Sequence, residues 1–320
     1  MNRLLILLLL TVFGLITTQN YAQQDAQYTQ YMYNTVSVNP AYAGSRGVLS
    51  IMGLHRSQWV GLEGAPRTQT LTLNTPIGES ERLGLGLSIV NDQIGPTDET
   101  YFDIDFSYTI PTSDTGKLSL GLKAGGHLLN VNFDELTRFV SNDVVFSNGG
   151  IDNKFSPNVG IGIYYHTDRF YMGLSAPNLL ETDHFDESST TNTDGNTISF
   201  LAEERINYYL IGGYVFNLSE EVKFKPAVLS KLVFGAPLQV DLSANFLLYD
   251  RLTLGAAYRW SAAVSGMVGF QVSDALMIGF AYDRETTELG QTQFNDGSYE
   301  VMLRFELFKK YNRMLTPRFF

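Results

Sequence analysis

Apolar and polar residues alternate at a period of two through most of the chain. From Tyr101 to Ile110, Phe102, Ile104, Phe106, Tyr108 and Ile110 fall on one side of an extended strand, and Asp103, Asp105, Ser107 and Thr109 on the other. Leu83, Leu85, Leu87 and Ile89 oppose Gly84, Gly86 and Ser88 in the same way, and Val240, Leu242, Ala244 and Phe246 oppose Asp241, Ser243 and Asn245. Near the end, Tyr299, Val301, Leu303 and Phe305 oppose Glu300, Met302, Arg304 and Glu306. Strands of a soluble sandwich alternate too, so the pattern predicts β structure without saying what the apolar face meets.

Three further features point to lipid. Arg3, the apolar run Leu4 to Ile16 and the small residue Ala22 read as a secretory leader over 1–22, with the mature chain starting near Gln23. The run is too short for a spanning helix of about 20 residues. Behind it, about fourteen alternating segments, each near the roughly 9–11 residues that a tilted membrane strand needs, begin near Val48, Arg67, Arg82, Glu99, Lys117, Ser156, Arg169, Glu204, Glu221, Pro237, Arg251, Ala263, Ala275 and Gly297. Their connections also differ in kind. Those around Ile77–Ser80, Ser113–Gly116, His166–Asp168, Asn217–Glu220, Tyr249–Asp250 and Ser273–Asp274 are short. The other set includes the long Asn132–Phe155, Ala176–Ala202 and Arg284–Asp296, although Phe234–Ala236 and Trp260–Ala262 are short. Short periplasmic turns and longer external loops suit an outer-membrane barrel. The expected fold is therefore all-β, a transmembrane outer-membrane β-barrel of about 14 antiparallel strands over 48–307, preceded by a periplasmic or lumenal segment at 23–47 and followed by a periplasmic tail at 308–320.

An Arg or Lys on the lipid face near the bilayer midplane costs about 2–4 kcal/mol, and an Asp somewhat less. Asp103, Asp105, Asp241, Arg259 and Arg304 are accordingly expected to line the lumen, paired with one another or acting as a selectivity filter. Gly84, Gly86 and Gly121 leave room there for something else to enter. The segment 23–47 holds Tyr28, Tyr31, Tyr33 and Tyr42 and closes on Asn39-Pro40-Ala41-Tyr42-Ala43-Gly44, in which Pro40 fixes a turn and Gly44 permits positive φ. It can serve as a plug in the lumen or as a cap below it. Trp59, Phe139 and Phe146 in the external connections suit either a protein interface or the aromatic belt of the membrane surface. The tail carries Lys309, Lys310, Arg313 and Arg318, a basic face for a periplasmic partner.

Catalytic and metal chemistry find little support. The chain has no Cys, which removes disulfides, thiolate ligands and a lipidated N-terminus. Its net charge of −11, with no basic stripe, speaks against nucleic acid. His55, His127, His166 and His184 are dispersed, and neither a nucleophile elbow nor a phosphate loop is present. Asp183-His184 could serve a membrane hydrolase, but adjacent residues rarely aim at one substrate atom. Asn295-Asp296-Gly297 lacks the remaining ligands of a calcium loop and reads as a turn. No cofactor is expected.

Several motifs occur in a specific order: Gln30-Tyr31-Met32-Tyr33-Asn34, Asn39 to Gly47, Arg56-Ser57-Gln58-Trp59-Val60-Gly61 with Gly64-Ala65-Pro66, Val90 to Thr97, Asn245 to Asp250, Gly279-Phe280-Ala281-Tyr282-Asp283 and Pro317-Arg318-Phe319-Phe320. In these the chain resembles the PorP/SprF family of type IX secretion membrane proteins of Bacteroidota. The resemblance implies an integral outer-membrane, non-catalytic component of secretion and gliding. It also implies a secreted surface protein or adhesin with a type B C-terminal sorting domain as partner, beside periplasmic and outer-membrane components of the apparatus. On that reading the external loops hold the secreted protein, and the N-terminal segment and basic tail face the periplasm. The competing reading is a channel for small solutes, like the fatty-acid transporters or porins.

Overall fold

The computed structural model describes residues 27–132, 150–183, 190–191, 197–198, 203–292 and 295–307. The wall consists of β1 (Leu49–Ser57), β2 (Arg67–Ile77), β3 (Leu83–Ile94), β4 (Thr97–Pro111), β5 (Lys117–Asn132), β6 (Gly150–His166), β7 (Phe170–Ala176), β8 (Asn207–Tyr214), β9 (Val222–Val233), β10 (Gln239–Leu248), β11 (Leu252–Arg259), β12 (Ala263–Gln271), β13 (Leu276–Glu285) and β14 (Ser298–Leu307). Each strand pairs antiparallel with the next, and Phe216–Asn217 continues the line of β8 against β9. β14 returns to β1, with Leu49 opposite Leu307 and Ser57 opposite Tyr299, so the sheet closes into a barrel of fourteen strands. Closure leaves no edge whose amides would lack partners in hydrocarbon.

The alternation places its two sets of side chains on opposite sides of this wall. On β14, Tyr299, Val301, Leu303 and Phe305 point outward and exposed, whereas Glu300, Met302, Arg304 and Glu306 are buried inside. β4 behaves alike, with Phe102, Ile104, Phe106 and Tyr108 outside and Asp105 and Ser107 inside. Leu122 is 61% exposed and Leu174 54%, and such positions continue around the ring. An apolar belt this large has no counterpart on a soluble monomer and is a face for lipid.

β6 begins at Gly150, six residues before the expected Ser156. Asp152, Asn153 and Lys154 interrupt the alternation, and Asn153 adopts a positive φ of 46°. The strand nevertheless keeps pairing with the end of β5, Asn132 opposite Gly150, across a bulge between Leu129 and Val131. The connection expected at Asn132–Phe155 is correspondingly shorter. The one expected at Ala176–Ala202 runs on to the start of β8 at Asn207 and includes short paired pieces, Thr182–Asp183 with Glu203–Glu204 and Thr190–Thr191 with Thr197–Ile198.

At one mouth all connections are tight. Between β10 and β11, whose last pair is Leu248 with Leu252, Tyr249 and Asp250 both have positive φ, 53° and 52°, and the Arg251 amide closes the turn on the Leu248 carbonyl at 3.0 Å. At the other mouth lie the strand ends that 133–149, 177–206 and 286–297 join, beside a short Gly95-Pro96 link between β3 and β4. Here Asn295-Asp296-Gly297 forms a turn, the Gly297 amide donating to Asn295 Oδ1 at 2.8 Å.

Residues 27–47 run inside this wall. Gln27 Nε2 donates to Gln239 Oε1 at the first residue of β10, at the long-connection mouth. From there the segment passes through a short helix α1 (Thr35–Val38) and a 3-10 turn at Pro40–Tyr42. It reaches Thr75, Pro76 and Gly84 near the short-turn mouth, where Gly44 lies at φ +71°. Tyr28, Tyr31, Tyr33 and Tyr42 are all buried and form one cluster with Met52, Met267, Met277 and Met302, inward residues of β1, β12, β13 and β14. Flexible thioethers pack readily around aromatic rings.

Candidate functional site: the occupied lumen and its mouth

The turn at Pro40–Tyr42 lies directly on bare backbone of the wall. A Cβ added to Gly121 would come 2.1 Å from the Ala41 nitrogen, one on Gly84 2.1 Å from the Ala43 carbonyl oxygen, and one on Gly162 2.1 Å from Asn39 Oδ1. No side chain fits at such distances, so these inward glycines form a cradle. Asn39 organises the turn within it: its Oδ1 accepts from the Ala41 amide at 3.0 Å, and its Nδ2 donates to the Ile163 carbonyl on β6 at 3.1 Å. Ser107 donates to the Ala43 carbonyl at 2.7 Å and Ser175 to that of Val38 at 2.6 Å. Lys123 Nζ donates to the Ser37 carbonyl at 3.3 Å. Gly121→Val is expected to push the turn off the wall while leaving the outer belt intact, at a cost of about 1–3 kcal/mol from overpacking. Trypsin should then cut after Arg46 in a barrel that still shows heat-modifiable mobility; an uncut variant would show that the turn stays seated.

Near the long-connection mouth, three strands converge on the start of the segment. Glu300 Oε2 accepts from the Thr29 amide at 2.9 Å and its Oε1 from the Gln30 amide at 2.8 Å. The Thr29 hydroxyl lies 2.7 and 2.6 Å from the two carboxylate oxygens of Asp283. Arg56 binds both acids, Nη2 to Asp283 at 2.7 Å and Nη1 to Glu300 at 3.1 Å. Nη1 also donates to the Thr29 hydroxyl oxygen at 3.0 Å. Arg56, Asp283 and Glu300 are all 2% exposed or less, so the cluster carries one net negative charge away from solvent, balanced by the dipoles of two amides and of the Thr29 and Ser265 hydroxyls.

The five charges that the alternation assigns to the lumen all lie on the inward side. Asp241 and Arg259 face each other in register on β10 and β11, Arg259 Nε 2.8 Å from Asp241 Oδ1. Lys123 on β5 lies 3.1 Å from Asp103 and 3.9 Å from Asp105. Arg304 lies 3.6 Å from Glu306, which also pairs with Arg46, and its guanidinium stands over the Tyr33 ring at 5.2 Å. The arrangement is of ion pairs and segment contacts, not a ring of one sign. Asn39, Pro40, Tyr42 and Gly44 come together in the cradle. Trp59 is half-buried at φ 48°, its amide donating to Ser298 Oγ at 3.2 Å, and Val60 and Asp296 clamp this connection to the one before β14 through backbone bonds of 2.9 and 2.8 Å involving Gly297 and Val60. Phe139, Phe146, His184, Lys309, Lys310, Arg313 and Arg318 lie outside the described residues.

Of the N-terminal segment, for which both a plug and a cap are open from the sequence, Gln27 and Thr29 stand at the long-connection mouth, and Gly44 lies near the other end. Among the described residues, no group of His, Asp and Glu side chains is placed to hold a metal. No local spacing marks Arg56 and Asp283 as a site, although they belong to the ordered motifs Arg56-Ser57-Gln58-Trp59 and Gly279 to Asp283.

A closed antiparallel wall with an apolar outer face and a charged interior defines an integral outer-membrane β-barrel. Residues 20–305 match the family model of the type IX secretion system membrane protein PorP/SprF, and the chain belongs to that family, a component of type IX secretion. No curated protein matches the chain. Among solved structures it is similar to the Acinetobacter baumannii outer membrane protein Omp33 (9% identity, 81% of this chain and 98% of that one, TM-score 0.45). It is also similar to the Ralstonia pickettii toluene transporter TbuX (10% identity, 84% and 91%, TM-score 0.44) and a Pseudomonas aeruginosa FadL homologue (11% identity, 81% and 88%, TM-score 0.40).

Proposed function

We propose that this barrel is a binding component, without catalysis, that holds a secreted protein with a type B C-terminal sorting domain at the cell surface and contacts periplasmic parts of the type IX apparatus. Family membership over nearly the whole mature chain is the observation that carries this reading. The geometry supports it in two ways. The strand ends that the three long connections join gather at one mouth, which on the usual arrangement of such barrels faces outward. The lumen is packed with the chain's own tyrosines and methionines, an arrangement suited to holding a partner at the rim more than to passing small solutes. The tail from 308 and the short turns then face the periplasm.

The test is purification of the tagged protein from native outer membranes in mild detergent, with mass spectrometry of what remains bound. Recovery of a large secreted protein with a C-terminal sorting domain, with or without periplasmic components, supports the proposal; a barrel that purifies alone overturns it. Trp59→Ala is expected to lower the retained secreted protein severalfold without changing barrel assembly, since large aromatic side chains at a rim contribute disproportionately to binding. Unchanged retention would place the interface away from the first connection.

A further inference from the structure

The two halves of the lumenal segment are held by different kinds of contact. Residues 39–44 are read by shape, because Gly84, Gly121 and Gly162 admit only main chain and small groups at their distances. Thr29 and Gln30 are instead read through their main chain: the Glu300 carboxylate spans two successive amides, at 2.9 and 2.8 Å. The added selectivity there is for a hydroxyl, which Asp283 accepts and Arg56 donates to. A carboxylate that accepts from consecutive amides selects a turn, in which successive N–H groups point the same way, as they do here where the Gln30 carbonyl in turn accepts from the Tyr33 amide at 3.0 Å; it reads the backbone and tolerates many side chains.

This half is also the less well matched. Asn34 is 1% exposed, yet neither its Oδ1 nor its Nδ2 meets a hydrogen-bond partner among the described residues, and Gln30 Nε2 is in the same position. Buried polar groups in that state weigh against the conformation that buries them. The segment is covalently continuous with the wall only through Gly47 and β1, at the far mouth. Its first described residues, Gln27 to Thr29, stand at the long-connection mouth, so residues 27–34 can leave through that mouth while the cradle keeps residues 39–44.

We propose that Arg56, Asp283 and Glu300 form a binding site for the main chain of a peptide turn opened by a Ser or Thr, filled in this structure by Thr29 and Gln30, and that a turn-forming segment of the secreted protein takes their place at the mouth. The identity of that occupant rests on the function proposed above; the peptide site itself does not. Glu300→Gln is a mild probe, because it leaves Arg56 paired with Asp283 and removes one net charge.

The experiment uses full-length protein in detergent and a fluorescent peptide with the sequence of residues 27–34. Native protein should bind it weakly, because a tethered segment competes at an effective concentration in the millimolar range. Gln30→Pro, which lacks one of the two amides, should bind the peptide saturably. Adding Glu300→Gln, or replacing the threonine of the peptide by valine, should weaken binding by about tenfold or more, the scale of a lost charge-assisted hydrogen bond. Heat-modifiable mobility reports that each barrel is folded, and Thr29→Val replaces Gln30→Pro if the proline variant does not fold. A folded variant that binds no peptide, or binds it equally with Glu300→Gln, overturns the site. Peptide binding combined with undiminished retention of the secreted protein in Glu300→Gln cells overturns the partner's occupancy alone. Failure to recover any secreted protein from native membranes counts against the proposed function and leaves the peptide result standing.

Discussion

Arg56→Ala is expected to lower the stability of the folded barrel by about 3–5 kcal/mol, the cost of leaving buried carboxylates without their cation. Asp283 and Glu300 are both within 3.1 Å of the Arg56 guanidinium, and their side chains are at most 1% exposed. Without Arg56, four neutral donors remain for the two carboxylates: the amides of Thr29 and Gln30 and the hydroxyls of Thr29 and Ser265. These offset one charge better than two. The measurement is the urea midpoint of protein folded into lipid vesicles. Arg56→Lys should fall between, since an ammonium keeps the charge but cannot span both acids in the plane of a fork. Adding Asp283→Asn and Glu300→Gln to Arg56→Ala should restore most of the loss, because it removes the uncompensated charge and keeps the hydrogen-bonding shape. A shift below about 1 kcal/mol in the single variant would mean that the cluster behaves as a solvated surface pair.

The wall was legible in the sequence wherever one face meets lipid and the other does not. β4 and β14 show this directly: every apolar residue from Phe102 to Ile110 and from Tyr299 to Phe305 at period two is outward, and the residues between them are inward. Register follows from that pattern because a slip by one residue would turn Asp105 or Glu300 into the membrane. Where a strand extends past the membrane the constraint lapses. The first residues of β6 are such a place, and Asp152, Asn153 and Lys154 there carry no alternation to read. The short turns were legible for a different reason, since Tyr249-Asp250 and Ser273-Asp274 interrupt the pattern at points that the antiparallel pairing needs.

The lumen was legible only in part. Gly84 and Gly121 indicated room, because a strand gives up side chains where another backbone comes close. What fills the room, and in which direction it runs, depends on contacts between residues far apart in the chain. Arg56 meets Asp283 across 227 positions and Glu300 across 244, so no local spacing connects them. The same holds for Asn39, whose partner at Ile163 lies 124 positions away. Polar residues of the segment gave no sense of direction either: Gln27 at one mouth and Ser45 near the other are equally compatible with water or with a charged wall. The closed sheet resolves this, because it converts each sequence-distant contact into a height along the barrel.

Those heights make removal of residues 27–38 the most direct test of what the segment does to the pore. The deletion takes away Tyr28, Tyr31, Met32, Tyr33, Val36 and Val38, six members of the lumenal cluster, and leaves Asn39 to Gly44 in the glycine cradle. The wall should survive, since its hydrogen-bonded ladder and lipid-facing belt do not include these residues. Ion pairs such as Arg259 with Asp241 and Lys123 with Asp103 would then border water, where they remain satisfied. Single barrels in planar bilayers should accordingly pass from a silent native state to discrete conductance steps in the variant. A native protein that already conducts would favour the solute-channel reading over the one proposed above. Silence in both would mean that the turn at Pro40–Tyr42 or the connections at the long mouth suffice to close the pore, and that residues 27–38 serve the mouth as a ligand of its Arg56 cluster more than as a barrier.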